Sequence, residues 1–69
     1  MENKFSVILK DLRLEKKLTL EKLAALTGIS YSALQSYEAN RVAATYPVII
    51  TLAKFFHVTC GQLLGTEEL

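Results

Sequence analysis

A single cysteine, Cys60, a single proline, Pro47, and no tryptophan stand among the 69 residues. One cysteine can neither staple a small fold nor complete a zinc site, so the fold must rest on packing, and a reducing compartment suits it. The lone histidine, His57, has no cysteine, histidine or carboxylate cluster around it, so it reads as a helix-end residue and no metal is expected. Cys60 has no basic neighbour in sequence and reads as a packed thiol rather than a nucleophile. No apolar run approaches the ~18 residues of a membrane span, and no signal peptide is apparent. A soluble, cytoplasmic protein without a membrane partner is expected. Charge of one sign is also scarce: the net charge is +1, which argues against a general electrostatic grip on phosphate. No catalytic dyad, paired carboxylate or phosphate-cradling glycine loop occurs, so neither an enzyme nor a cofactor is expected.

What the chain has is apolar residues, 51% of the total, slightly above the roughly 45–50% of ordinary domains. At this length a core supplies only about 3–5 kcal/mol. One domain over residues 1–69 is expected, with a shared apolar surface as one use of the excess. Helical periodicity runs throughout. Phe5, Ile8, Leu9 and Leu12 predict a helix from about Lys4 to Lys16. Thr19 offers an N-cap, Leu23, Ala24 and Leu26 a buried stripe, and Gly28 a left-handed stop. Ser30 caps a helix from Tyr31 to Glu38, with Leu34 and Tyr37 inward and Tyr31, Ser32, Gln35 and Ser36 outward. Asn40 is a left-handed cap before the loop Arg41–Ala44. Thr45 and Pro47 open a fourth helix with Ile49, Leu52, Ala53 and Phe56 buried. Thr59 caps a short fifth helix, Cys60 to Leu64, that ends at Gly65, and 66–69 read as a frayed tail. Nothing reads as a strand, so the fold class is all-α, five short helices.

The informative unit is Leu18-Thr19 through Leu23-Ala24, then Gly28-Ile29-Ser30, Leu34 and Tyr37-Glu38. Two short helices meet at a glycine-containing turn, and the second starts on a serine cap with small polar residues outward. Such a helix can enter a major groove by its N-terminal end. With Leu12-Arg13 before it and Leu52-Ala53, Val58-Thr59 and Leu63-Leu64 after it, the chain resembles the Cro and phage-repressor-type helix-turn-helix family (XRE family) over about Phe5 to Gly65. The resemblance implies a compact five-helix domain with its helix-turn-helix at about 19–38. It also implies a transcriptional regulator, repressor-like and prokaryotic or phage-borne, that binds a double-stranded DNA operator as a homodimer. It assigns base-facing roles to Tyr31, Ser32 and Gln35, with Ser36 beside them, a backbone contact to Arg41, and a structural ion pair to Arg13 and Glu38. Gln can read adenine, Ser several bases, and Tyr a thymine methyl or a phosphate. A plain solvated face is the alternative for the same residues.

Three departures bear on the grip. Leu20 stands where the family has a phosphate-touching Gln, the loop Val42-Ala43-Ala44 is uncharged, and the outward face of the second helix has no basic residue. Fewer phosphate contacts mean less counterion release and a shallow salt dependence. Leu14, Leu20, Val42, Val48 and Phe55 are too many for one small interior. Phe55, Val58, Cys60 and Leu64 therefore become a candidate dimer or partner surface. The alternative function is a protein-binding module on the same fold, such as an antirepressor or modulator docking onto another repressor protein.

Overall fold

The computed structural model describes residues 4–68. Five helices follow in order: α1 (Lys4–Glu15), α2 (Leu20–Thr27), α3 (Tyr31–Glu38), α4 (Tyr46–Phe56) and α5 (Cys60–Leu64). There is no strand among the described residues, and no helix there is long and apolar enough to cross a membrane. One side chain from each helix makes the centre: Leu9, Leu23, Leu34, Leu52 and Leu63 are completely buried, ringed by Phe5, Tyr37, Ile49, Ala53 and Phe56. Phe5 meets Tyr37 edge to face with ring centroids 6.1 Å apart, which ties the start of α1 to α3.

Caps set the starts. The Thr19 hydroxyl accepts from the Lys22 amide at 3.0 Å and the Ser30 hydroxyl from the Ala33 amide at 3.1 Å, relieving donors that a helix start leaves unpaired. Thr59 goes further: its hydroxyl accepts from the Gln62 amide while its own amide donates to Gln62 Oε1, a reciprocal capping box. Thr45 differs from expectation. It has the extended N-cap backbone but no side-chain cap hydrogen bond. The other three cap hydroxyls each bond the third amide of their helix, which here is Val48; the second residue, Pro47, has no amide to offer instead.

The stops share one device. At the ends of α1, α3, α4 and α5 the amides pair backwards in the six-to-one and five-to-two pattern: Leu18 to Arg13 and Lys17 to Leu14, Arg41 to Ser36 and Asn40 to Tyr37, Val58 to Ala53 and His57 to Lys54, Thr66 to Gly61 and Gly65 to Gln62. The left-handed residue is Lys17, Asn40, His57 or Gly65, with φ of 56°, 59°, 57° and 82°. Three of the four therefore adopt a conformation costing an L residue about 1–2 kcal/mol. α2 ends at Gly28, φ 78°, where a single amide bond to Ala24 closes the helix and the tight turn to Ser30 begins.

Two side chains change places relative to the sequence expectation. Leu26, expected in the buried stripe of α2, is 51% exposed, while Leu20 is half-buried against the core. Leu20, Leu23, Ala24 and Thr27 follow the i, i+3, i+4, i+7 rule of one helical face, and Leu26 lies roughly a quarter-turn off it. Val48 and Phe55 also pack against the core. Leu14 and Val42 stay exposed. Ser6 is buried within α1. Thr66 to Glu68, expected to fray, turn back on α5: the Glu67 amide donates to the Gly61 carbonyl, and the Thr59 hydroxyl donates to the Glu67 carboxylate at 2.5 Å. Residue 69 of the expected tail lies outside the described residues.

Candidate nucleic-acid interface

Helix α3 has two chemically distinct faces. Its inner face is fixed by Leu34 and Tyr37, both buried. Glu38 completes it. Arg13 Nε donates to Glu38 Oε2 at 2.7 Å and Arg13 Nη2 to Glu38 Oε1 at 3.0 Å. This is a two-pronged contact in which the planar guanidinium matches the carboxylate. The third prong, Arg13 Nη1, donates to the Leu18 carbonyl at 2.7 Å. One arginine of α1 thus holds both the end of α3 and the turn leading into α2. The hydrogen bond and the charge of Glu38 raise the Arg13 pKa above arginine's ordinary value, so the pair keeps its cation at any pH a protein tolerates.

The outer face starts at the Ser30 cap. Tyr31, Ser32 and Gln35 are exposed, Tyr31 to 43%, and Ser36 is half-buried. Tyr31 and Gln35, one turn apart, share a face, with Ser32 beside Gln35 a little further round the helix. Arg41 is exposed just beyond the helix, its amide locked to the Ser36 carbonyl at 3.0 Å. The bond depends on the left-handed Asn40. The structure therefore brings Tyr31, Ser32 and Gln35 onto one open face, sets Ser36 at its edge, and puts Arg41 at its far end. Arg13 and Glu38 lie behind it. The Leu18 carbonyl is a partner that sequence reasoning missed, because a backbone acceptor has no residue type to signal it.

The four residues of the candidate partner surface separate. Phe55, Val58 and Cys60 are half-buried against the core, with Phe55 edge to face on Phe56 at 4.9 Å. Leu64 is exposed. It borders a cavity of about 330 Å³ shared with Phe5, Ala43, Ala44, Tyr46 and Ile49, where Tyr46 is 73% exposed. Tyr46 is in step with Ile49, Ala53 and Phe56 along α4, so nothing in the sequence signals that this first position of the helix stays open. Among the described residues no three His, Cys, Asp or Glu side chains gather as a metal site.

Two capped helices at a glycine turn, an inner face pinned to α1 and an open polar outer face define a helix-turn-helix domain. A helix-turn-helix family model matches residues 9–63, and the chain belongs to that family, of the Cro and phage-repressor (XRE) type. It is 35% identical over 65 residues to the transcriptional activator BcrR of Enterococcus faecalis, covering 94% of this chain and 32% of that protein. It is 35% identical over 60 residues to the transcriptional regulator AnsR of Bacillus subtilis (strain 168), covering 87% and 52%. The chain thus spans about a third to a half of the curated relatives it matches. The crystal structure of the restriction-modification controller protein C.AhdI from Aeromonas hydrophila superposes with a TM-score of 0.79 at 30% identity, covering 87% of this chain and 91% of that one.

Proposed function

We propose that this chain is a DNA-binding regulator of transcription that inserts the outer face of α3 into the major groove of an operator. It acts by occupancy in the cytoplasm, without chemistry of its own. The observation that carries the reading is the contrast across α3: buried Leu34 and Tyr37 and the Arg13–Glu38 pair immobilise one side, leaving Tyr31, Ser32 and Gln35 presented on the other. A groove admits an α-helix of this kind, and side chains near its N-terminus reach base edges. Arg41 contacts the phosphate backbone, since a lone exposed cation at the end of the helix suits positioning rather than readout. The family relationship to named transcriptional regulators points the same way.

The grip is light. Half-buried Leu20 offers a phosphate no donor, and Val42 to Ala44 bring no charge. Two copies acting together offset this, and symmetric pairs reading half-sites a helical turn apart are the usual solution. The exposed apolar side chains Tyr46 and Leu64, which border one cavity, serve that pairing. The same side chains suit docking onto another repressor protein, the second reading. Titrating a mixed-sequence duplex against increasing salt separates the two. DNA binding predicts retention at low salt and a linear log–log fall with a slope of about −0.9 per neutralised phosphate. No retention at about 50 mM salt contradicts it and leaves the protein-docking reading.

A further inference from the structure

We infer that the base pairs facing α3 in the operator are A·T rather than G·C, because α3 lacks the two side-chain types that most often read a G·C pair. The inference rests on the DNA-binding reading above. In the major groove guanine offers O6 and N7, met most often by a bidentate Arg or Lys, and cytosine offers its N4 amino group to a carboxylate. Helix α3 contains no Arg or Lys. Its one carboxylate, Glu38, accepts from Arg13 with both oxygens, so it is committed to the scaffold and turned from the groove. Arg41, the next cation along the chain, follows the far end of an eight-residue helix, roughly 10 Å along the axis from Tyr31.

What remains on the outer face suits A·T. The Gln35 amide carries a donor and an acceptor side by side, the complement of adenine N7 and N6. The exposed Tyr31 ring offers an apolar edge to the thymine methyl, the one apolar group in the groove. The two residues are one turn apart, roughly 6 Å along the axis, close to two base-pair steps. Ser32 and Ser36 carry hydroxyls that donate or accept with any base, so they do not restore a preference for G·C.

The test is selection from a random duplex pool with the full chain, followed by titration of the recovered site with altered bases and variants. A·T pairs are expected at the positions that respond to α3 variants. Gln35→Ala should lower the preference for adenine at one position by roughly 5- to 150-fold, and Gln35→Arg should move that position from adenine to guanine. Replacing one thymine by deoxyuridine, which removes only the methyl, should weaken binding of the parent chain and leave Tyr31→Ala unaffected. Both side chains are exposed, and an unchanged helical circular dichroism spectrum confirms that each variant is folded. Sites with G·C at those positions, or a base preference untouched by Gln35→Ala, overturn the inference while DNA binding stands. Recovery of no duplex overturns both.

Discussion

The helix-turn-helix and the α4–α5 hairpin are built from different materials. From Leu20 to Glu38 the elements are short, hold one to two buried side chains each, and owe their placement to polar contacts: the Thr19 and Ser30 caps and the three-pronged Arg13. Along α4 placement comes from apolar burial, with Ile49, Leu52, Ala53 and Phe56 inside; the short α5 adds Leu63 to that core and the Thr59 capping box at its start, and Tyr46 and Leu64 are left outside. Polar contacts are directional, so they suit the region whose orientation carries the function. Apolar contacts are not, so they suit the region that anchors it and offers a face to another chain.

The comparison breaks most visibly at Glu38. Glu38→Ala leaves Arg13 charged and nearly buried without its partner, a loss of about 3–5 kcal/mol. That equals the whole stability expected of a domain this small, so urea denaturation should find the variant largely unfolded. Arg13→Met combined with Glu38→Leu should recover part of the loss, because an apolar pair avoids the buried charge. Had the pair been a mere surface contact, Glu38→Ala would cost under about 1 kcal/mol.

In the other region the equivalent blow is loss of packing. Leu52→Ala, at a fully buried site, should cost about 2–5 kcal/mol in the same denaturation experiment, with no rescue by any charge change. The caps give a finer contrast. Ser30→Ala should cost about 1 kcal/mol, whereas Thr45→Ala should cost less than about 0.5 kcal/mol, because its hydroxyl caps nothing. The smallest effect on stability belongs to Tyr46→Lys. As an exposed site it should stay within about 0.5 kcal/mol. It should nonetheless shift sedimentation toward the monomer if the Tyr46–Leu64 face joins two copies.

Most of this architecture is legible in the amino-acid sequence. Caps and glycines mark element ends whatever the tertiary fold, so Thr19, Gly28, Ser30, Asn40, Thr59 and Gly65 bracket the helices. The long apolar period of α4 names its buried face completely. The eight-residue α2 is harder, since two turns hold too few residues to tell which of Leu20 and Leu26 faces inward. Lys17 as a left-handed stop has no residue-type signal, for lysine rarely takes that role. The Arg13 contact to the Leu18 carbonyl and the return of Glu67 onto Thr59 are tertiary events at uninformative positions. At the candidate site, family resemblance names the residues of α3 and the Arg13–Glu38 pair. Their division between an outward face and the scaffold is legible too; the structure adds the geometry of the pair, two guanidinium prongs on Glu38 and a third on the Leu18 carbonyl.

The most direct test of the account is amide chemical-shift mapping by NMR as a DNA duplex is added to the labelled chain. The account predicts perturbations concentrated at Ser30 to Ser36 and Arg41, with the apolar border at Tyr46 and Leu64 unmoved. Perturbations confined to Val42 to Tyr46 and Leu64, or none at low salt, would contradict it.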